Sequence, residues 1–555
     1  MSHMAYLQIL FVFIGGLGLL LYGMQIMADG LQKIAGSKMK KILEALTQSK
    51  FMSVVIGALV TGLVHSSTAV TVMTVGFVNA GLMNLSQTVG IIMGANIGTT
   101  VTSWLISSVE WLGILSPSNL APLSVGIGAS MFLFCKKEKF KQTGLIITGF
   151  GVLFMGMNQI TDACEPLKDL PYIKTAFTHM GKNPLLGMLT GIIVTAILHS
   201  SAASVGILQS LAFLNLIPWN SAVYIIMGQN IGTCVTTLFS SIGTSKNAKA
   251  TAYLHLMFNL IGSIIFSVIA IVYFMFINPR LGNNFIDATQ ISVVHSVFNI
   301  STTILLYPFS DFIIKIAEFL VSHIKDDENE SVARLDIRIL KNPNFAVQSC
   351  VKEIIRMGYI AEKNLKLCVD ALFNPKEEIV KKIFERESQI DMLSHAITKY
   401  LVKICNINMA RKENKFMTKL FHTVNDIERV GDHCENIAEV AEYIKSEKLS
   451  FSNKEQNELK ELFDLTLDCY DSSIKALEEN DKLTAQKTVL VEQKVDALEK
   501  NLRNKTINRL SSGNYEPKIS VAFLDAINNL ERIADHALNI SRVVLKYKKA
   551  NKSQE

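Results

Sequence analysis

Short polar clusters interrupt two apolar segments of the chain, TGLVHSST at 61–68 and TAILHSSA at 195–202. Their hydroxyls can donate hydrogen bonds to the oxygens of an anion or offer lone pairs to a small cation such as Na⁺. Neither the clusters nor the adjacent apolar segments contain Lys or Arg, so an anion bound here would need a cation to accompany it. The candidate oxyanion ligands are His65, Ser66, Ser67, Thr68, His199, Ser200 and Ser201.

A second polar motif follows each cluster, as MGANIGTTVT at 93–102 and as MGQNIGTCVT at 227–236. Amide and hydroxyl oxygens are hard, neutral ligands of the kind that a small cation prefers. We therefore expect these motifs and the clusters to supply Na⁺ ligands. The candidates are Ser67, Asn96, Thr99, Thr100, Ser201, Asn230 and Thr233.

Three motifs recur at a nearly constant separation. TGLVHSST returns as TAILHSSA after 134 residues, and MGANIGTTVT returns as MGQNIGTCVT after the same interval. GLGLLLYGMQIMAD returns as GFGVLFMGMNQITD after 133 residues. These three anchors predict a duplicated unit, with repeats at about 6–135 and 140–270 and extra helices to 320, in a domain that covers 5–322.

Apolar stretches of roughly 20 residues can cross a bilayer as helices. They lie at about 6–28, 84–107, 120–135, 143–162, 217–241, 252–277 and 289–308. Paired apolar segments with polar interruptions are typical of transporters whose discontinuous or re-entrant helices surround a central site. Five lysines in 31–50 against three in 165–184 favour an inverted relation between the repeats, because positive charge accumulates on the cytoplasmic side.

The remainder of the chain is soluble in character, with 40 acidic and 39 basic residues after position 310. A charged linker at 323–344 leads to a predicted helical bundle at 345–550. No basic block occurs in this tail, which argues against nucleic acid as a partner. The whole pattern predicts an all-α protein: a polytopic membrane domain followed by a water-facing bundle.

The tail carries its own repeat, since ERVGDHCEN at 428–436 returns as ERIADHALN at 531–539. Each copy is preceded by a further E-x-x-x-D, whose two carboxylates share one helix face. Facing helices of this kind would crowd like charges, which either bind a metal ion or form a solvated surface paired with Lys and Arg. The candidate metal ligands are Glu387, Asp391, Glu428, Asp432, Glu492, Asp496, Glu531 and Asp535.

Less specific interpretations exist for the membrane motifs. Stretches rich in Gly, Ser and Thr also pack membrane helices closely. The cluster histidines could ligate directly or could shape the helix interruption. HLMFN at 255–259 and HSVFN at 295–299 place His and Asn on one helix face, where they line a cavity or form interhelical hydrogen bonds.

The membrane motifs resemble those of the type II sodium–phosphate cotransporter family in its bacterial form. The two HSS clusters are similar to that family's QSSS signature, with His in place of Gln and with Thr68 and Ala202 in place of the third Ser. The resemblance implies inverted repeats, re-entrant hairpins and sodium-coupled transport of inorganic phosphate. It assigns Ser66, Ser67, Ser200 and Ser201 to the phosphate and sodium site.

The tail resembles the PhoU family, whose two three-helix halves carry E-x-x-x-D motifs. That resemblance implies a transition-metal cluster of Fe, Mn or Zn, and a cytosolic regulatory role for the tail of a multi-pass protein of the bacterial cytoplasmic membrane. No nucleophile–base constellation appears in the sequence, so we do not expect an enzyme. A carrier of another oxyanion, a phosphate exporter, a non-transporting phosphate sensor and a tail that only forms homo-oligomers are the alternatives.

Overall fold

A computed structural model gives the fold of the chain. The structure describes residues 3–44, 49–168, 170–323, 335–341, 343–406, 411–511 and 516–547. Across these residues the secondary structure is helical and contains no β-strand, which confirms the predicted all-α class. The chain divides into two compact units, Met1–Asp327 and Glu328–Glu555.

The first unit contains the predicted membrane segments. Among its described residues the α-helices are α1 (His3–Glu44), α2 (Lys50–Val64), α3 (Ser67–Asn79), α4 (Leu85–Ser107), α5 (Pro117–Phe134), α6 (Glu138–Cys164), α7 (Pro171–Lys182), α8 (Pro184–Leu198), α9 (Ser201–Phe213), α10 (Trp219–Ser240), α11 (Lys246–Val272), α12 (Pro279–Asn283), α13 (Ala288–Leu306) and α14 (Ser310–Leu320). Local sequence sets several starts: Asn84 with Gln87, and Asp287 with Gln290, form capping boxes that satisfy backbone N–H groups at the beginnings of α4 and α13.

Six helical stretches in the described part of the chain are long and apolar enough to cross a membrane: Tyr6–Ile34, Leu85–Ser107, Glu138–Leu167, Trp219–Ser240, Lys246–Ile277 and Ala288–Leu320. Helices α7 and α8 would make a seventh, although they are bent by 112° relative to each other. The span predicted at 120–135 forms α5 and is not among the six. Helices α2, α3 and α9 are apolar but shorter, at 10–17 residues, as expected for interrupted segments.

Helices α1 and α6, which carry the third pair of repeated motifs, pack closely through glycines. A methyl group on Gly16 would lie 2.9 Å from the carbonyl oxygen of Gly156, and one on Gly23 would overlap the backbone of Leu153. Residue numbers therefore rise along α1 as they fall along α6, and the two equivalent helices run antiparallel. Backbone contact of this closeness requires glycine because any Cβ would intrude.

The second unit forms two three-helix halves, as the tail sequence predicts. The halves are α15 (Pro343–Phe373), α16 (Glu377–Cys405) and α17 (Arg411–Ser446), then α18 (Asn453–Glu479), α19 (Lys482–Ser511) and α20 (Pro517–Tyr547). Helix α17 packs against α20, and α15 against α18, so the two halves share one core. Most of the predicted linker at 323–344 lies outside the described residues.

Candidate transport site and acidic clusters

Each HSS cluster is a break between two helices. His65 ends α2 with φ 54°, in the left-handed region, and the hydroxyl of Ser66 caps α3 by accepting a hydrogen bond from Ala69 N at 3.2 Å. His199 and Ser200 repeat this arrangement, with φ 52° at the histidine. A left-handed conformation is uncommon for a residue other than glycine and turns the chain sharply. Both clusters therefore form hairpin tips rather than continuous helix.

A histidine–threonine hydrogen bond fixes each tip to the following long helix. His65 Nδ1 lies 3.0 Å from Thr102 Oγ1, and His199 Nδ1 lies 2.9 Å from Thr236 Oγ1. Sequence analysis did not single out these threonines, although each closes a GxNIGTxVT motif. Their constant separation of 37 residues from the histidine is the signal that could have identified them. The histidines thus shape the tips through one ring nitrogen.

The glycines of the same motifs let the hairpins dock. A methyl group on Gly94 in α4 would overlap the carbonyl oxygen of Val54 in α2, and one on Gly228 in α10 would overlap that of Met188 in α8. In both repeats, the hairpin's first helix therefore touches the backbone of the long helix. Close packing explains the glycines of the motifs, whereas it leaves the serine hydroxyls unexplained.

The two tips also meet across the repeats. Thr68 Oγ1, in the first cluster, donates a hydrogen bond of 3.4 Å to the carbonyl oxygen of His199 in the second. Near this contact, Thr71 Oγ1 lies 3.1 Å from Thr237 Oγ1, so α3 of the first repeat also contacts α10 of the second. The structure thus brings the two hairpin tips into contact with each other.

The hydroxyls of Ser67 and Ser201 are available for a ligand. The two residues are 6% and 3% exposed. Their side chains form no hydrogen bond with any residue in the described part of the chain, whereas Ser66 and Ser200 are used as helix caps. Each lies in the first turn of a helix, where backbone N–H groups lack intrahelical partners and the helix dipole is positive. This environment favours an anion.

The predicted sodium ligands are buried, and most of them bond to their own helix. Asn96 Nδ2 donates to Ile92 O at 2.9 Å. The hydroxyls of Thr99, Thr100 and Thr233 donate to backbone oxygens three or four residues earlier. These bonds use the side-chain N–H or O–H groups as donors, so the side-chain oxygens remain available to accept a bond or to ligate a cation. Asn230 Nδ2 has no partner among the described residues.

The acidic motifs of the tail form two compact groups. One carboxylate oxygen from each of Glu387, Asp391 and Asp432 lies within 4.8 Å of the others. Glu492, Asp496 and Asp535 form the corresponding group in the second half. Glu428 and Glu531 are not members of these triads; each instead pairs at 3.7–3.8 Å with the arginine next to it in sequence.

Burial and repulsion by neighbouring acids raise the pKa of the glutamate in each group, Glu387 and Glu492. The pKa of Glu387 rises to about 7, first because of burial and then because of Asp391, Glu435 and Asp432. Glu435 was missed by sequence analysis, although it lies one helical turn from Asp432. A cation bound among these carboxyls would offset both the burial and the mutual repulsion of their negative charges.

Family models match most of both units. Residues 19–162 and 170–281 match the Na⁺/Pi-cotransporter model, and residues 354–441 and 459–544 match the PhoU domain. The chain therefore contains a Na⁺/Pi-cotransporter domain and a C-terminal PhoU domain. It is therefore a membrane protein, and the resemblance seen in the motifs is confirmed.

One relative matches nearly the whole chain and others match its tail, all at low identity. YjbB of Salmonella typhimurium, described provisionally as an inorganic phosphate export protein, is 22% identical over 543 residues, 96% of either chain. PhoU homolog 1 of Thermotoga maritima, named as an accessory protein of phosphate-specific transport, is 27% identical over 194 residues, which cover 35% of this chain and 83% of that protein. The crystal structure of PhoU from Pseudomonas aeruginosa aligns with 37% of this chain and 99% of its own, at 21% identity and a TM-score of 0.36.

In the PhoU domain, the histidines of the repeated motif join the two halves. His433 Nδ1 on α17 lies 2.9 Å from Asn529 Oδ1 on α20, and His536 Nδ1 on α20 lies 3.0 Å from Asp426 Oδ1 on α17. The two imidazole rings are 5.6 Å apart. The E-x-x-x-D-H-x-x-N motif therefore serves two purposes. Its aspartate belongs to a carboxylate triad, whereas its His and Asn form hydrogen bonds between the two halves.

In the cotransporter domain, the HLMFN and HSVFN pairs are buried in the helix packing. His255 Nδ1 lies 3.0 Å from Thr237 Oγ1, and Asn259 Nδ2 donates to Cys234 Sγ at 3.3 Å. These are interhelical bonds of the kind that the sequence allows. The side-chain oxygens of Asn259 and Asn299 have no partner in the described part of the chain, so the bonds satisfy these pairs only in part.

Proposed function

We propose that the protein transports inorganic phosphate across the bacterial cytoplasmic membrane in a reaction coupled to Na⁺. One observation carries the proposal: two buried serines, Ser67 and Ser201, whose hydroxyls have no hydrogen-bond partner among the described residues, lie at two hairpin tips that meet. Phosphate offers several acceptor oxygens, and these hydroxyls, together with the N–H groups of the first turns of α3 and α9, are matched donors.

Sodium coupling follows from charge. A phosphate anion at the hairpin tips would meet hydroxyls and helix termini, because residues 51–80 and 183–215 contain no Lys or Arg and Lys50 lies at the far end of α2, paired with Asp311. Co-bound Na⁺ offsets that charge in a medium of low dielectric constant. The oxygens of Asn96, Thr99, Thr100, Asn230 and Thr233, with the serine hydroxyls, are the proposed ligands.

Inverted repeats are part of the proposal. The equivalent helices α1 and α6 pack antiparallel, which is the relation expected when one repeat is turned over relative to the other in the membrane. Two hairpins that face each other from inverted repeats give a site that can open alternately to each side. The PhoU domain would then lie in the cytosol and regulate the carrier.

Net efflux is the second candidate, because YjbB, described provisionally as an exporter, matches 96% of this chain. Loading labelled phosphate inside or outside proteoliposomes of known protein orientation separates the two directions. Sulfate and arsenate as competitors test the substrate: arsenate should compete, since its shape and charge match phosphate, and strong competition by sulfate would point to another oxyanion.

We also propose that the two carboxylate groups of the tail bind a transition metal, Fe, Mn or Zn. Triads within 4.8 Å and the raised pKa of Glu387 fit a cation, because a metal ion relieves both the crowding and the burial of negative charge. When bound, the metal would stiffen the contacts between helices that contribute carboxylates.

Metal binding should depend on pH. Since the pKa of Glu387 is raised to about 7, a proton must leave this carboxyl before the metal binds. The affinity of the full chain for Mn²⁺ should therefore fall by up to about tenfold for each pH unit below that value, and level off above it. Electron paramagnetic resonance of free Mn²⁺ measures this directly.

The controls for this titration lie in the same domain. Asp432→Ala and Asp535→Ala should each abolish one site, while Asp464→Asn, an exposed position on α18 outside both clusters, should change nothing. Mn²⁺ affinity that is independent of pH, or binding that survives both cluster substitutions, would contradict the assignment.

A further inference from the structure

The two halves of the PhoU domain differ in charge around their carboxylate groups. Pairing the halves by their motif offsets of 103 and 105 residues aligns Glu439 with Arg542, Glu435 with Leu538 and His395 with Lys500. The first group therefore has two further acids at positions where the second has an arginine and a leucine, and the second has a lysine where the first has a histidine. Sequence repeats that keep the same ligands but reverse the neighbouring charges are not equivalent sites.

The electrostatic surroundings of the carboxyls reflect this difference. Glu435 and Asp432 raise the pKa of Glu387 in the first half. In the second half, the positive charges of Arg542 and Lys500 act in the opposite direction on Glu492 and partly offset the effect of burial. The side chain of Arg542 therefore carries its charge to within electrostatic reach of the second carboxylate group.

A cavity of about 320 Å³ opens at this position. Two acids of the second carboxylate group line this cavity, together with two arginines and a histidine from α20. One asparagine and one leucine complete the lining. The lining residues are Glu492, Arg532, Asp535, His536, Leu538, Asn539 and Arg542. A cavity of this size is larger than a single water or metal ion needs and is within the range of small-molecule sites.

The two arginines of the cavity are weakly engaged with protein. Arg542 donates one hydrogen bond, to Asn539 Oδ1 at 3.4 Å, and forms no ion pair with any residue that the structure describes. Among the residues that the structure describes, Arg532 pairs with its neighbour Glu531 alone, at 3.7 Å. In the first half, by contrast, Arg429 is bonded to Asp432 at 2.9 Å. The guanidinium of Arg542, which has no carboxylate partner among the described residues, and that of Arg532, which has one long contact, are suited to a phosphoryl group, because guanidinium groups bind such groups through paired N–H donors.

We propose that this cavity binds a small phosphate-bearing anion, either inorganic phosphate or a phosphate monoester, through Arg532 and Arg542. The site is separate from the serine hairpins and goes beyond the proposed transport. The first half retains a site for cations alone. A divalent cation at Glu492 and Asp535 would add positive charge to the same cavity and strengthen anion binding.

Hydrogen–deuterium exchange of the full chain in detergent, with Mn²⁺ present throughout, tests this site by location. Inorganic phosphate and AMP are added in separate arms. Either anion, present at ten times its Kd, should slow hydrogen–deuterium exchange in peptides covering 531–544 by up to about tenfold. Protection by phosphate alone identifies the free anion, and stronger protection by AMP identifies an ester.

Matched variants make the result specific. Arg542→Glu copies the residue at the equivalent position of the first half and should abolish protection; Arg542→Gln serves if the charge reversal disturbs folding. Glu439→Gln, at that equivalent position, should leave protection intact. Unchanged exchange at 531–544 with both anions, while phosphate still protects the hairpin peptides around 65–70 and 199–204, would overturn the inference. Protection of 531–544 without protection of the hairpins would instead count against the transport site alone.

Discussion

Replacing Ser67 or Ser201 with alanine should reduce phosphate flux by about 10- to 100-fold, and replacing both should abolish measurable flux. Each serine is buried, and its hydroxyl has no protein partner in the described part of the chain, so its loss removes one hydrogen bond to the anion. A hydrogen bond to a charged group contributes about 1.5–3 kcal/mol, and every 1.4 kcal/mol is a factor of ten. Labelled phosphate uptake by reconstituted protein measures the effect.

Ser210→Ala is the matched control. Ser210 lies on α9 with Ser201 and is fully buried, but its hydroxyl donates to Gly206 O at 3.0 Å within the same helix. Its removal should change flux less than twofold, since the bond that it makes is internal to one helix. Equal losses from Ser201→Ala and Ser210→Ala would mean that both serines act only in packing, and the phosphate assignment would fail.

Replacing Gly94 or Gly228 with alanine should destabilise the membrane domain and impair transport together. The added methyl group would overlap a backbone oxygen, of Val54 or Met188, which cannot move aside as a flexible side chain can. Overpacking of this kind costs about 1–3 kcal/mol or more. The displacement would also separate His65 from Thr102, or His199 from Thr236, and so disturb the tips. Thermal unfolding of purified protein and phosphate flux are the two measurements.

Gly126→Ala separates this steric effect from the general effect of the substitution. Gly126 lies in α5, and a methyl group there would meet nothing within 4 Å. Alanine favours helix over glycine by about 1 kcal/mol, so this variant should be as stable as the original protein or more stable. Unfolding temperatures of Gly94→Ala and Gly228→Ala that match that of Gly126→Ala would show that the hairpins are not docked through these glycines.

Sequence alone predicted the positions of the helix breaks because the signals are local. Polar residues within an apolar segment, with Ser66 and Ser200 well suited as caps, mark the point where a helix ends and another begins. The six long apolar stretches, the two halves of the tail and its interruptions were predictable for the same reason. Each depends on residues that are close together in the chain.

Contacts between distant residues were not predictable in the same way. The bond from Thr68 to His199 spans 131 residues and depends on how the two repeats pack. Glu435 was missed because the motif search followed the E-x-x-x-D spacing, whereas its approach to Glu387 depends on the packing of α16 against α17. The use of His433 and His536 as links between the halves was likewise invisible, since their partners Asn529 and Asp426 stand outside the repeated motif.

The most direct test of the account is uptake of labelled phosphate by proteoliposomes that contain the purified chain, with and without an inward Na⁺ gradient. The account predicts accumulation that requires the gradient and disappears when K⁺ replaces Na⁺. A variant lacking residues 330–555 shows whether a silent result reflects inhibition by the tail. Flux that persists after Na⁺ is replaced would contradict the coupling. A folded protein that transports no phosphate in either form would contradict the carrier itself and favour a phosphate sensor.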